Sequence, residues 1–223
     1  MSKNLYIFRH GETDFNVANR AHGIIDIPLN KNGIAQAHAL AEQLSKVHLD
    51  VIYTSKLSRA KQTAQIVAEK RNTDIIVDDG LHEWNLGVFC GKVLHFIHAR
   101  KNKPIDLTSN DVYIPYLVMA DGDYVPQNGE SFNAFKKRIC DSLENIVKNT
   151  DAENIGIATH GGAIRAILTQ YTNLSNGGMP NAGYFVLQWD GKTFNLVNKP
   201  DWLVKKHPLL LALAFIKKMM RTK

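Results

Sequence analysis

A chain of 223 residues, 44% apolar and 22% charged, has the make-up of a soluble globular protein long enough to bury one sizeable core. Its formal charge of +6 hints at a polyanion, but six of the 27 Lys and Arg lie in residues 202–223, which hold no acid, and the other 21 balance 21 Asp and Glu. The body is therefore formally neutral, which argues against a nucleic-acid partner for the fold itself.

The two cysteines, Cys90 and Cys140, make no disulfide framework and no metal-type spacing, so reduced thiols in a cytoplasmic protein are expected. The only early apolar run, Leu5–Phe8, is too short for a secretion signal. The longest, Leu209–Ile216, falls far short of the roughly 20 residues that span a bilayer.

Taken in chain order, the first element is a short buried strand, Leu5–Phe8, which stops at Arg9-His10. Asn30 can cap a helix over about residues 33–46, with Ile34, Ala37, Leu40, Ala41 and Leu44 on one stripe. A second buried strand, Val51–Thr54, precedes a helix that Ser58 can cap and that buries Ala60, Thr63, Ala64 and Val67 before ending near Arg71. Ile75–Val77 reads as a third buried strand. Residues 101–130 hold Pro104, Pro115 and Pro126 with little periodicity, the mark of a lid or binding loop. A helix over about 131–148, a strand at Ile155–Ala158 and a helix directly after Gly161 follow. "YFVLQWDGKTFNLV" then reads as a hairpin around Asp190-Gly191.

This alternation predicts an α/β three-layer sandwich, with a mostly parallel central sheet, helices on both faces and an antiparallel edge hairpin near the C-terminus. Residues 1–201 form a single domain on this reading, with a cap or lid insertion at about 92–150. Residues 202–223 form a basic and apolar tail helix, opened by Pro208. The tail is expected to pack on the body or on a second subunit of a homodimer, or to touch an anionic membrane surface.

In open α/β sheets, ligands bind beyond the carboxyl ends of the strands. Arg9 and His10 end the first strand; Arg59 starts the helix after the second; Glu83 follows the third in "DDGLHEW"; His160 ends the fourth in "ATHGG". If the strands are parallel neighbours, two imidazoles, two guanidinium groups and one carboxylate converge. Phosphoryl transfer needs such a set. Arginine forks hold phosphoryl oxygens, a neutral imidazole is a competent nucleophile near pH 7, and a carboxylic acid can protonate a leaving alkoxide. "GVFCGKV" does not make a P-loop, because only three residues separate its glycines and Val93 follows Lys92 where a hydroxyl should hold magnesium. Pairing each His with an Arg also disfavours a metal site, so neither metal nor cofactor is expected.

The motifs resemble the histidine phosphatase superfamily, in its phosphoglycerate-mutase-like branch. "RHGETDFN", "NRAHGIIDIPLNKNGIAQA", "TSKLSRAKQTA", "LHEWNLGVFCG", "NGES" and "ATHGGAIRA" occur in that family's order over about residues 3–190. The resemblance implies a phosphohistidine nucleophile at His10, phosphoryl-holding roles for Arg9, Arg59 and His160, and Glu83 as general acid. Asn16, His22, Gly23 and Gly161 would bind the substrate, a small phosphate monoester. His22 stands where Gln is common, and Phe89 and Cys90 stand where Trp and Glu are common. Between Arg100 and Lys136 only Lys101 and Lys103 are basic, and the mutases' Arg pair is missing. A metal-independent phosphatase is therefore expected, with a phosphoglycerate mutase or a non-catalytic phospho-ligand-binding module as the alternatives.

Overall fold

The computed structural model describes residues 2–97, 105–115, 122–172, 174–176, 179–198 and 200–205. In chain order the elements are β1 (Lys3–Arg9), α1 (Asp14–Val17), α2 (Lys31–Gln43), β2 (Val51–Thr54), α3 (Ser58–Glu69) and β3 (Asp74–Val77). They continue with β4 (Val93–Ile97), β5 (Asp111–Pro115), α4 (Phe132–Asn149), β6 (Asn154–Thr159), α5 (Gly161–Tyr171), β7 (Leu174–Asn176), β8 (Tyr184–Trp189), β9 (Phe194–Leu196) and β10 (Leu203–Lys205). The expected tail helix does not begin at residue 202, because Leu203–Lys205 form β10, paired antiparallel with β7; residues 206–223 lie outside the described ones.

The central sheet runs β3-β2-β6-β1-β8-β9. Strands β3, β2, β6 and β1 are parallel, while β8 is antiparallel to β1 and to β9. Period-2 alternation sorts the side chains of β1 onto two faces. Leu5 and Ile7 join Ile155 and Ile157 of β6 in a core completed by Phe135, Ile139 and Leu143 of α4 and Ile164 and Leu168 of α5. Phe8 faces the other way, with Ile52 and Ala158, into a second core closed by Leu40, Ala41 and Leu44 behind α2 and by Ala64 and Val67 of α3. Two helices on each face make the expected three-layer sandwich. Beyond it lie two small sheets, β4 with β5 and β7 with β10.

Local chemistry explains most boundaries and corrects others. The Asn30 carboxamide accepts a hydrogen bond from Gly33 N at 2.8 Å, so α2 starts at Lys31, two residues before the expected point. Ile34 is 43% exposed and lies off the buried stripe. Ser58 is not a cap: Leu57 holds that position, and Ser58 N and Oγ each donate to the Asp26 carboxylate at 2.7 Å. The reading of Ile75–Val77 as a buried strand does not hold. As the sheet's edge, β3 leaves Ile76 44% and Val77 48% exposed. The turn of the β8–β9 hairpin is built by Asp190, whose Oδ1 accepts from Lys192 N and Thr193 N, with Gly191 at φ +97°.

Candidate active site

Parallel pairing brings the ends of β1, β2 and β6 together. Arg9 lies level with Thr159, so His10 and His160 leave adjacent strands side by side, with ring centroids 5.3 Å apart. The backbone that carries His10 is gripped from four sides. His10 N donates to Thr159 O of β6 at 3.0 Å, and Ala182 N donates to His10 O at 3.2 Å. Gly11 N donates to Thr63 Oγ1 of α3 at 3.1 Å, and Glu12 N donates to Gln36 Oε1 of α2 at 2.9 Å. Gly11 has to be glycine, because a Cβ there would sit 2.3 Å from Gly33 O.

His10 is buried, and its Nδ1 lies 2.7 Å from Gly11 O. A carbonyl only accepts, so Nδ1 carries the proton and Nε2 keeps its lone pair. Burial first, and then the charges of Arg9 and Arg59, hold its pKa well below the usual imidazole range. His160 is depressed likewise, chiefly by burial and next by Arg59. Its Nε2 meets Ser55 Oγ at 2.8 Å, and that oxygen accepts from Leu57 N at 3.2 Å. With Ser55 giving its own hydrogen to Nε2, the ring proton of His160 is on Nδ1, the tautomer that suits an acceptor at that unpartnered nitrogen.

Arg59 is the largest fully buried side chain among the described residues. Its guanidinium donates to Ile25 O at 2.8 Å and to Gly23 O at 3.0 Å. Burial lowers its pKa to about 10, against the pull of Glu83 and Asp26, so it remains a cation at neutral pH. Arg9 Nη1 donates to Met179 O at 2.7 Å. Its pKa is lowered by burial and partly restored by Glu83. Among the described residues, three buried side-chain nitrogens have no protein partner: Arg9 Nε, Arg59 Nε and His160 Nδ1. Such atoms are costly unless an acceptor meets them.

Glu83 reaches the site from the loop after β3. Its Oε1 accepts from Trp84 N at 2.8 Å and its Oε2 from Gly162 N at 3.0 Å. A Cβ on Gly162 would lie 2.2 Å from Glu83 Oε1, so the carboxylate rests against the start of α5. Gly161 lies beside Arg9, whose Nε would be 3.6 Å from a Cβ there. Asn16 Oδ1 accepts from Thr13 N and Thr13 Oγ1, both at 3.1 Å, which leaves Nδ2 to donate. His22 brings a third imidazole, 5.7 Å from His10 between centroids, with Nε2 2.5 Å from Thr13 Oγ1. Burial, then Arg59 and Arg9, lower its pKa to about 3, so it is neutral at pH 7. Gly23 takes φ +49° and abuts Cys90, whose Sγ would lie 2.3 Å from a Cβ. Phe89 is buried with Val112 under Leu94. All nine residues singled out in the sequence thus gather at one end of the sheet.

The deciding comparison is with protein families: the model of the histidine phosphatase superfamily, branch 1, matches residues 5–201. The chain belongs to that superfamily. A metal-independent phosphoserine phosphatase of Arabidopsis thaliana is 34% identical over 176 residues, 78% of this chain and 71% of that protein. Phosphoglycerate mutase-like protein 4 of the same plant is 33% identical over 73% of this chain and 68% of its own length. Among solved structures, a mycobacterial glucosyl-3-phosphoglycerate phosphatase superposes with a TM-score of 0.69 at 27% identity, covering 88% of this chain and 98% of the other. The protein is a histidine-phosphatase-type phosphoric monoester hydrolase.

Sequence reasoning missed several groups that contact the candidate residues: Thr13, Ser55, Thr63, Asn181 and the Met179 carbonyl. Thr13 had a local signal, the capping box it forms with Asn16 three residues on. Residues 179–183 had none. They join the site because β8 is antiparallel to β1 and so begins where β1 ends.

Proposed function

We propose that this phosphatase hydrolyses small phosphate monoesters in two steps through a phosphohistidine, without a metal ion. The observation that carries the reading is that the three unpartnered buried nitrogens among the described residues belong to Arg9, Arg59 and His160, around a neutral imidazole with a free Nε2. In the first step His10 Nε2 attacks phosphorus, the N–P bond forms, and the ester P–O bond breaks as Glu83 protonates the leaving oxygen. In the second, Glu83 takes a proton from water, the P–O bond to that water forms, and the N–P bond breaks to release phosphate and His10. Arg9, Arg59 and His160 hold the three equatorial oxygens, whose charge rises in each transition state. Asn16 Nδ2, His22, Gly23 and Gly161 line the phosphoryl end. Two guanidinium groups beside the imidazoles make the place hostile to a divalent cation.

Leaving-group choice falls to the insertion that holds β4 and β5. A cavity of about 190 Å³ lined by Phe15, Asn16, Asn19, Arg20, Ala21 and Leu94 joins the phosphate-facing amide to β4. The relatives' names place phosphoserine and sugar phosphoglycerates first in a substrate panel. The test is turnover of that panel with chelator present, beside His10→Ala. Loss of activity with chelator, or survival of activity in the variant, would refute the mechanism. Adding a glycerate acceptor separates hydrolysis from phosphoryl transfer, the mutase alternative.

A further inference from the structure

One side chain outside the set above touches the nucleophile's backbone and the phosphate-facing amide together. Asn181 Nδ2 donates to His10 O and to Asn16 Oδ1, each at 3.2 Å. The amide has two N–H bonds, one for each acceptor. Its neighbour Ala182 sends its backbone N–H to the same His10 carbonyl at 3.2 Å and holds φ +54°, a left-handed conformation that alanine rarely takes. The loop thus bends to offer two consecutive donors to one carbonyl. At the other end, Asn16 Oδ1 sits among three donors, Thr13 N, Thr13 Oγ1 and Asn181 Nδ2.

We propose that Asn181 is a positioning residue for the phosphatase reaction, locking the His10 peptide and keeping the Asn16 amide turned so that its N–H donors face the phosphoryl group. The assignment rests on the phosphohistidine reading above. Asn181→Asp keeps the shape but has only acceptors at neutral pH. It would set oxygen against His10 O and Asn16 Oδ1 and drive the Asn16 amide to turn over, aiming its oxygen at the phosphate. Asn181→Ala only deletes the donors and leaves those of Ala182 and Thr13 in place. If Asn181 merely filled space, Asp would be the mild change and Ala the harsh one.

The test measures kcat and KM on p-nitrophenyl phosphate and inhibition by orthovanadate, with melting temperature as the check on folding. The proteins are wild type, N181A, N181S, N181D, and each of N181A and N181D combined with N16A. N181A is expected to lower kcat/KM about 10-fold and N181D about 100-fold, with vanadate inhibition weakened in the same order. In the N16A background the gap between N181D and N181A should narrow, because no amide is left to turn over. N181D no worse than N181A, or a gap unchanged by N16A, overturns the assignment. Should N181D fail to fold, N181S keeps one donor and must fall between wild type and N181A; an N181S no better than N181A is equally fatal. A wild type inactive on every ester sinks the phosphatase reading itself, whereas an active wild type with the wrong variant order sinks only the role of Asn181.

Discussion

Between Arg9 and Glu12 the chain is bonded to β6, α2, α3 and the loop before β8, and His10 and Gly11 are buried. Strands β4 and β5 are held differently. Among the described residues they pair with each other and meet the body through an Arg20–Val93 bridge, bonds between Ala21, Gly91 and Lys92, and the packing of Leu94 and Val112 with Phe89. On the proposed function, the first region holds the groups that meet the phosphoryl end, which every phosphate ester shares. The second is attached by that backbone seam and by the small apolar cluster of Leu94 and Val112 with Phe89, and none of these contacts is made by His10. Reaction type and substrate choice would then fall, on that function, to parts of the molecule with different mechanical support.

The largest effect expected from breaking this contrast is at His10. His10→Ala should lower kcat by about 10³-fold or more and abolish acid-labile phosphohistidine in a quench experiment. A variant keeping a tenth of the activity would mean that the gripped segment does not carry the chemistry. Next comes Gly162→Ala, whose new Cβ must displace Glu83. It should slow alkyl phosphates about 100-fold yet change p-nitrophenyl phosphate far less, because a good leaving group needs no acid. Equal losses on both would sever Glu83 from proton transfer.

A third expectation concerns acid. His10, His22 and His160 all have pKa values depressed in the folded state, so below about pH 6.5 the unfolded chain binds protons that the folded one refuses. The stability these groups contribute is full above that pH. It is lost as pH falls toward the folded-state values, which for His22 is about 3. Thermal denaturation from pH 7.5 to 5 should show a falling melting temperature, partly restored by inorganic phosphate; a flat profile would contradict the buried neutral cluster. The smallest effect belongs to Leu94→Ala on β4. It should shift relative kcat/KM among natural phosphomonoesters by about 3- to 10-fold and leave p-nitrophenyl phosphate within about twofold. An equal loss on all of them would tie β4 to the chemistry as well.

Much of this arrangement was legible in the sequence, because short apolar runs that stop at charged residues mark the ends of buried parallel strands. Arg9, His10, Arg59 and His160 could be placed on that ground before any relative was considered. What escaped was long-range or depended on sheet position. Asn181 meets His10 across 171 residues, through the pairing of an antiparallel strand whose site-facing end is its beginning. Ile76 and Val77 carry the residue types of an interior strand, and only the sheet order shows that β3 is an edge. Ser58 has the residue type of a cap, but Asp26, far off in sequence, offers it a better acceptor.

Arg59 has a consequence for how heat tolerance and activity can be combined in this fold. A guanidinium with no solvent exposure has given up its hydration for two carbonyls, and its Nε has no protein partner. Replacing it with a methionine of similar reach would remove that burden and could raise the melting temperature of the ligand-free protein while ending catalysis. On the phosphohistidine reading, the cost of burying Arg59 is the demand that the reaction makes on the fold.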